Sequence, residues 1–437
     1  MINSNTEEYY RNYYGAYINN YFNNKNAQDT RFNYILAFII ICILLATLAL
    51  IQPLFAEVFP KNETIAYSPP PSNSIILDKK TFEQNIRQKY KTNLINFPTT
   101  GIAHIKKIKY INSKPVKINI VEINTNANPN LKIKPQIAGY KLNSKSTVRK
   151  IAQKEGSIVA VNGGFFKPQT GVPLGALMID EKVLTGPIFN RVGIAIFEDN
   201  NKTSFKMANI EFEIKATSKH NVVKVDNINQ PRMLQSYMLL YTSDWGKQTP
   251  IAPKTGWNML IRNNKVEKIS ANPIELQEGD FVLQGNKEIL SKLAKDEHIK
   301  IDIKLQDELR GARHIIGAGP YLVKNSQVYL DTQTQRLQAI SGKNPRSAIG
   351  YRNDGTLIIV TVDGREETSV GMTLRELAIL MKNLGCEFAM NFDGGSSSAI
   401  YVNGRITNQA VNREGIAVSN ALTITEIKSD TTQLAGI

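Results

Sequence analysis

Two strands joined by a helix are the clearest pattern in the C-terminal third of the chain. The first strand, TLIIVTVDG (residues 356–364), is rich in β-branched residues and ends in Asp-Gly, whereas the second, CEFAMNF, leads into Asp393. Between them, TLRELAILMKNLG has a capping box formed by Thr373 and Glu376 and a terminal Gly385. This order predicts a right-handed crossover that joins two parallel strands.

Each of these strands is followed by an aspartate, Asp363 or Asp393. Because parallel strands end at the same edge of a sheet, we expect the two carboxylates to lie roughly 5–10 Å apart at a ligand-binding edge. That separation suits a pair of acid–base groups. Asp-Gly is also an ordinary turn sequence, and for Asp363 this alternative stays open. Two glycines and three serines after Asp393 favour a functional role for that residue.

Common catalytic motifs are missing from the sequence. The GGSSS segment lacks the last glycine of a G-x-S-x-G elbow, and the four histidines form no H-E-x-x-H zinc motif. The remaining candidates are polar residues beside glycine-rich turns, namely Asp393, Asp363, Asn162, Arg346 and Arg413. Glycines let backbone N–H groups approach a ligand oxygen, and such groups recognise phosphate together with arginine. The pattern therefore indicates a site for a phosphate-bearing ligand.

An uncharged, mostly apolar run near the N-terminus predicts a membrane anchor. No charged residue occurs between Arg31 and Glu57, and residues 34–52 are long enough to span a bilayer. About thirty residues precede the run, which favours a signal anchor over a cleaved signal peptide. Lys25 and Arg31 before the run, against Lys61 after it, weakly favour an internal N-terminus. We therefore expect one transmembrane helix and a C-terminal domain on the extracytoplasmic side.

The rest of the chain divides by composition. Residues 1–33 form a low-complexity tail, residues 53–103 a proline-containing linker and juxtamembrane segment, and residues 104–427 the main domain. Within that domain, residues 205–310 are predicted to be a variable insert, either an elaboration of the main sheet or a small subdomain. The expected fold is α+β, a mixed β-sheet domain with a few packed helices, preceded by the single transmembrane helix.

Positive charge is concentrated before the predicted site. Residues 77–160 contain seventeen Lys or Arg and four Asp or Glu. Such a segment can bind nucleic acid, an anionic membrane or a phosphate-bearing polymer, or can form a solvated face. The charges are scattered through predicted strands rather than grouped in a dense arm, so nucleic acid is not an expected partner.

Several motifs together resemble the phosphodiester glycosidase family. They are VNGGFF, NPRSAIGY, VDGR, the long SVGMTLRELAILMKNLGCEFAMNFDGGSSS segment and NREGIAVSNAL, spread over residues 104–425. Members of this family cleave the bond between the anomeric carbon of a sugar and a phosphodiester, and bacterial members are linked to exopolysaccharide or cell-envelope metabolism. Residues 205–309 match weakly, so the resemblance implies no particular sugar.

The resemblance also implies roles for individual residues. Asp393 would be the central carboxylate and Asp363 its partner or orienter, while Arg346 and Arg413 would bind phosphate and Asn162 would contact sugar or phosphate. The full set of expected substrate-binding residues is Asn162, Gly163, Gly164, Arg346, Gly394, Gly395, Ser396, Ser397 and Arg413.

The predicted function is hydrolysis of glycosyl phosphodiesters, releasing free sugar and a phosphomonoester from cell-envelope or exopolysaccharide glycans. The expected partners are a phosphate-linked glycan and, through the anchor, a membrane. No metal or other cofactor is required by this chemistry, although Asp363, Asp393 and Asn162 could hold calcium or magnesium in a metal-assisted phosphodiesterase. A glycan-binding envelope protein without turnover is the other alternative.

Overall fold

Antiparallel β-sheet is the main secondary structure. The computed structural model describes residues 78–427, except residues 93, 232–237, 255 and 297. Strands in this part of the chain are numbered β1 to β26 in chain order, and four α-helices accompany them: α1 (Lys79–Tyr90), α2 (Val148–Lys154), α3 (Lys287–Ala294) and α4 (Leu374–Asn383). The prediction of a sheet domain with a few packed helices is confirmed to this extent.

The largest sheet has eight strands and carries the two predicted aspartates at one edge. All its neighbouring strands are antiparallel. One face packs against α1 and α4, and the opposite face joins the central hydrophobic core. In spatial order the strands are β1 (Ile95–Thr99), β2 (Ile102–Ile111), β3 (Lys114–Ile123), β22 (Leu357–Val362), β21 (Arg346–Tyr351), β23 (Phe388–Asn391), β19 (Tyr321–Lys324) and β20 (Gln327–Val328).

The two strands of the predicted crossover are parallel, as expected, but another strand lies between them. Strands β22 and β23 run parallel to each other and are joined by α4, whose capping box of Thr373 and Glu376 is formed as predicted. However, β21 lies between them and is antiparallel to both. The ends of β22 and β23 are therefore about 10 Å apart, which is two strand spacings.

Two five-stranded sheets complete the core around this large sheet. Both contribute to the central hydrophobic cluster, and α2 packs against the first of them. Asn403-Gly404 forms the turn of a hairpin in the first of these sheets, as this dipeptide often does. The first sheet contains β25 (Arg405–Ile406), β24 (Ile400–Val402), β5 (Val159–Asn162), β26 (Asn420–Glu426) and β4 (Leu131–Ile137). The second contains β7 (Lys182–Thr185), β6 (Leu177–Ile179), β18 (His314–Gly317), β8 (Val192–Asp199) and β9 (Lys202–Asn209).

The variable region is a subdomain with its own hydrophobic core. That core is formed by side chains from its two sheets and from α3, among them Leu240, Met259, Leu283 and Leu290. The three-stranded sheet contains β11 (Val222–Val225), β10 (Phe212–Thr217) and β17 (Lys300–Leu305). The five-stranded sheet contains β12 (Asn227–Ile228), β13 (Leu239–Thr242), β16 (Phe281–Asn286), β14 (Gly256–Arg262) and β15 (Lys265–Ser270).

The packed domain begins earlier than residue 104, the boundary predicted from the sequence. Asp78 caps α1, and Phe82, Ile86 and Tyr90 of this helix are buried against the large sheet. These residues are spaced four apart and therefore form one apolar helix face. Residues 79–103 thus belong to the domain rather than to a linker.

The predicted tail (residues 1–33) and anchor (residues 34–52) lie outside the described residues. Among the residues that the structure describes, no helix is both long enough and apolar enough to cross a bilayer.

Candidate active site

Asp393 lies just beyond β23, where the edges of two sheets meet. Its backbone N–H donates to the carbonyl of Gly163, with an N···O distance of 3.0 Å. Its own carbonyl accepts a hydrogen bond of 2.7 Å from the side-chain amide of Asn162, the last residue of β5. The backbone of Asp393 is therefore held from both sides by the VNGG turn that follows β5.

Asn162 connects three parts of this edge. Its side-chain oxygen accepts hydrogen bonds from the hydroxyl of Ser347 in β21 (2.7 Å) and from the N–H of Ala399 (3.2 Å), while its amide holds Asp393. Asn162 is fully buried. The structure thus shows Asn162 positioning the Asp393 turn, and its predicted contact with sugar or phosphate stays a prediction.

The Asp393 carboxylate is poised to change its charge near neutral pH. Burial raises the pKa of this carboxyl to about 6, against the opposing effects of a hydrogen bond from Ser397, the N–H of Gly394 and the positive charge of Arg191. The distance from the Gly394 nitrogen to the carboxylate oxygen is 2.9 Å. An aspartate with a raised pKa accepts a proton more readily than an ordinary surface aspartate.

The turn after Asp393 requires its two glycines. Gly395 has a φ of +59°, and the segment Gly395–Ser397 forms a short 3-10 helix. A Cβ atom on Gly394 would lie 3.0 Å from the carbonyl oxygen of Pro345, and the N–H of Gly395 donates to that same oxygen. The turn therefore packs against Pro345, the residue that precedes β21.

Gly163 and Gly164 allow close packing on the other side of Asp393. A Cβ atom on Gly163 would lie 2.0 Å from the side-chain oxygen of Asn420, and one on Gly164 would lie 2.3 Å from the carbonyl of Gly317. The N–H of Gly164 donates to that Asn420 oxygen at 2.9 Å. Close packing therefore explains why these two positions require glycine. The contacts with substrate that were predicted for them stay predictions.

Asp363 lies at the same edge as Asp393 but has different partners. Its carboxylate accepts a hydrogen bond of 2.9 Å from the N–H of Gln409 and another from the side chain of Asn408. Burial raises the pKa of this carboxyl, and Lys117 and Lys106 act in the opposite direction. Asp363 therefore fixes the segment that follows β25, which agrees with an orienting role better than with direct proton transfer.

Arg346 begins β21 between the two aspartates, yet its side chain lies on the other face of the sheet. Because neighbouring residues in a strand point to opposite faces, Ser347 contacts Asn162 and Arg346 points toward α4. The guanidinium donates to the carbonyls of Met372 (2.9 Å), Ile340 (2.7 Å) and Gly342, and the residue is 2% exposed. The structure thus gives Arg346 a crosslinking position, and the phosphate contact predicted for it stays a prediction.

Arg413 is part of an exposed turn. It has a φ of +64°, and its backbone N–H donates to the carbonyl of Ala410. No described contact ties its side chain to Asp393 or Asp363, and its predicted phosphate contact likewise stays a prediction.

Two arginines that were not predicted as site residues also lie at this edge. Arg191 is buried, lies 5.0 Å from the centre of the Phe165 ring, and lowers the pKa of the Asp393 carboxyl through its charge. Arg365 is exposed, and its guanidinium contacts the Ser396 hydroxyl (3.3 Å) and the side-chain oxygen of Asn344 (2.9 Å). Arg365 is part of the quoted VDGR motif, whereas no local pattern distinguishes Arg191.

The acidic residues of this edge do not form a metal-binding cluster. Within the described ranges, no three or more His, Cys, Asp or Glu side chains are grouped so that they could hold a metal ion.

Comparisons with known proteins agree with the motifs. A family model described as phosphodiester glycosidase matches residues 261–425. The SPbeta prophage-derived uncharacterized protein YomE of Bacillus subtilis is 36% identical over 154 residues, which cover 35% of this chain and 22% of YomE. The N-acetylglucosamine-1-phosphodiester alpha-N-acetylglucosaminidase of Mus musculus is 25% identical over 138 residues, which cover 30% of this chain and 26% of that enzyme. The chain thus spans about a quarter of the length of these curated relatives.

A solved structure shares the fold. A hypothetical protein from Synechocystis superposes with a TM-score of 0.68 at 22% identity, covering 75% of this chain and 62% of that one. The matched family region contains β21, β22 and β23 with both aspartates, whereas Asn162 and Arg191 lie before it. Residues 261–425 thus match the model of the phosphodiester glycosidase family, which is the family that the sequence motifs resemble.

Proposed function

We propose that this chain is a membrane-anchored hydrolase of glycosyl phosphodiesters that releases free sugar and a phosphomonoester. The observation that carries the proposal is the Asp393 carboxylate, which is held by Asn162 and Gly163 at a sheet edge and has its pKa raised to about 6. Phosphate-linked glycans of the cell envelope or of exopolysaccharide are the proposed natural substrates.

The chemistry needs one well-placed negative charge. A phosphate leaves as a stable anion, so the bond from the anomeric carbon breaks with less general-acid help than an ordinary glycoside requires. Asp393 acts in its ionised form, because both activation of water and stabilisation of an oxocarbenium-like centre require a negative charge. Water supplies the new hydroxyl on the sugar, and its second proton ends on the released phosphomonoester or in solvent.

The arginines nearest Asp393 supply the opposing charge. Arg191 lies within electrostatic reach of the carboxylate, and Arg365 reaches the Ser396 hydroxyl in the adjoining turn. Guanidinium groups bind phosphate oxygens and stabilise the charge that develops on a leaving phosphate. We assign phosphate recognition to this pair in preference to Arg346, whose guanidinium is engaged by backbone carbonyls on the opposite face.

The remaining groups position these charges. Asn162 fixes the backbone of Asp393, and Asp363 fixes the segment around Gln409 at the same edge. The proposed anchor at residues 34–52 would place the domain on the extracytoplasmic side, where envelope glycans are found. That location is supported by the uncharged apolar run and by the charges that flank it.

Product analysis tests the proposal. The purified chain is incubated with a panel of sugar-1-phosphodiesters, and free sugar, phosphomonoester and sugar phosphate are quantified. We expect free sugar and phosphomonoester in equal amounts. Sugar phosphate with a free alcohol would instead indicate phosphodiesterase chemistry, and binding without either product would indicate a glycan-binding protein.

A further inference from the structure

The hairpin formed by β2 and β3 extends past the end of β22 at the candidate site. Val362, the last residue of β22, pairs with Ile118, and the N–H of Asp363 donates to the carbonyl of Lys117. Residues 108–111 of β2 and 114–117 of β3 continue beyond this point as a paired hairpin. Four residues of strand add about 13 Å to the edge that carries Asp363.

The two faces of this hairpin have different surroundings. Lys107 and Lys109 pair with Ile118 and Val116, whose side chains are buried on the α1 side of the sheet, and we call these two lysines the back face. Lys106, Ile108, Tyr110 and Lys117 lie on the opposite face, which we call the site face. The site face therefore carries two lysines, and the back face carries a third, Lys114, besides Lys107 and Lys109.

Contacts of Lys117 join the site face to the candidate site. Its ammonium group donates to the hydroxyl of Thr368 (3.0 Å) and to the side-chain oxygen of Gln409 (3.4 Å). The backbone N–H of Gln409 in turn holds the Asp363 carboxylate. The site face is thus continuous with the edge that carries both aspartates.

The site face is basic, partly apolar and exposed. Tyr110 is 69% exposed and Ile108 is 52% exposed. Residues 102–121 contain no Asp or Glu, so this stretch of the hairpin carries no acidic group beside its lysines. An exposed aromatic ring can stack on a sugar ring, and exposed lysines attract phosphate groups.

We infer that the site face binds the continuing chain of a polyanionic, phosphate-linked glycan while one of its glycosyl phosphodiesters occupies the Asp393 site. This inference rests on the proposed function and specifies its substrate class: a polymer with repeated phosphate groups rather than a small diester. The occupant is chosen by charge complementarity and by continuity with the edge. A single sugar phosphate at Asp393 is too short to reach Tyr110.

Binding measurements on paired variants test the inference. Lys106→Gln/Lys117→Gln removes two charges from the site face, and Lys107→Gln/Lys109→Gln removes two from the back face of the same hairpin. Both are made in the full chain that also carries Asp393→Asn, so that ligands bind without being consumed. The probes are phosphomannan, a phosphate-free mannan, a single methyl phosphodiester of N-acetylglucosamine, and vesicles containing phosphatidylglycerol, each measured by titration calorimetry at several salt concentrations.

We expect the site-face variant to bind phosphomannan about three- to tenfold more weakly, as the loss of two exposed ionic contacts implies. Its affinity should also depend less on salt, because fewer counterions are released on binding. The back-face variant should stay within twofold of its parent. Thermal melting and circular dichroism check that both variants fold.

Four results would overturn the inference. Equal losses in the two variants, or binding to vesicles that exceeds binding to phosphomannan, would indicate general attraction to anionic surfaces, since a flat membrane draws on the lysines of both faces. Equal affinity for phosphate-free mannan would remove the phosphate role. An equal loss for the single diester would place the lysines at the scissile group. Because binding is measured without turnover, failure of the proposed function appears separately in the product analysis.

Discussion

One arginine lies at each end of β21: Arg346 begins the strand and Arg352 follows it. The carboxylates near these two ends have different hydrogen-bond and ion-pair partners. Arg352 follows the strand at one end and contacts Glu122 with both terminal nitrogens, one of them at 2.9 Å. Glu122 is 1% exposed and is also bonded to the Lys89 ammonium (2.8 Å) and to the Tyr90 hydroxyl of α1. This cluster attaches α1 to the sheet.

The Asp393 edge lies at the other end of β21 and has different partners for its carboxylate. Asp393 has hydrogen bonds from Ser397 and the Gly394 N–H, with Arg191 acting through its field. At Glu122 burial raises the pKa of the carboxyl to about 7, although two cations lie within 2.9 Å of it. The comparison teaches that neither burial nor a raised pKa alone identifies a functional carboxylate, because a carboxylate that holds two structural elements together can have both properties.

The largest effect on stability is expected at the Arg352 end of β21. Glu122→Ala leaves Arg352 without its carboxylate partner in a mostly buried position, so the free energy of unfolding should fall by about 3–5 kcal/mol. Turnover per folded molecule should not change. Chemical denaturation measures the loss, and Glu267→Ala, which breaks a more exposed pair with Arg262, is the control with an expected loss below about 1 kcal/mol. Similar losses in both variants would contradict the distinction between the two ends.

At the other end, Asp393→Asn should lower turnover by about a hundredfold or more, the scale for loss of a positioned acid–base group. The free energy of unfolding should change much less, since the amide keeps the shape of the side chain and removes a buried charge. Steady-state kinetics and denaturation are measured on the same soluble variant. If the variant kept near-normal turnover and an unchanged circular dichroism spectrum but lost stability, Asp393 would have only a structural role in the turn.

Arg346→Lys distinguishes two possible roles of Arg346: crosslinking backbone carbonyls and binding phosphate. Lysine keeps the charge but cannot hold three carbonyls in a fixed fork. We expect the free energy of unfolding to fall by about 1.5–3 kcal/mol, the range for charge-assisted hydrogen bonds. The affinity ratio between a phosphodiester and the free sugar should stay constant. A selective loss of phosphodiester affinity at unchanged stability would restore the phosphate contact predicted from the sequence.

The smallest effect concerns pH, and it has opposite signs for turnover and stability. Because the folded-state pKa of Asp393 is about 6, the ionised fraction and kcat/KM should be roughly tenfold lower at pH 5 than at pH 7. The raised pKa stabilises the folded protein below the unfolded pKa of about 4, and this contribution is lost as pH rises through 6.

The Asp393→Asn variant is the control for both pH profiles. Its difference in unfolding free energy from the unsubstituted chain should change between pH 4 and 7 and level off above that range. A flat kcat/KM profile across pH 5–7 would show that another group controls turnover.

Local features of the fold were predictable from the sequence, because neighbouring residues determine them. The capping box of α4, the Asp78 start of α1 and the Asn403-Gly404 hairpin all follow from short-range hydrogen bonds and backbone preferences. The position of Asp393 at a sheet edge likewise follows from the strand that precedes it.

The strand order and the direction of Arg346 could not be predicted in the same way. Insertion of β21 between β22 and β23 depends on packing between residues that are distant in sequence, and this insertion decides which face Arg346 occupies. Arg191 directly precedes β8, so its position beside Asp393 depends on how the second five-stranded sheet packs. Sequence motifs thus predicted a role for Asp393, but not for the arginines that lie near it.

The inserted subdomain leaves and rejoins the core through paired strands. Strand β10 pairs with β17 along its whole length, from Phe212 opposite Leu305 to Thr217 opposite Lys300. Where this pair meets the second five-stranded sheet, Ile210, Leu309 and Ala312 are buried together. The pair therefore sets the separation of β9 and β18 at this point. Further contacts tie the subdomain to the core, since the side chain of Asn229 donates to the carbonyl of Leu184 and that of Gln230 donates to the carbonyls of Gly175 and Gly186. A change in the length of residues 218–299 should therefore leave the core in place only where these contacts are kept.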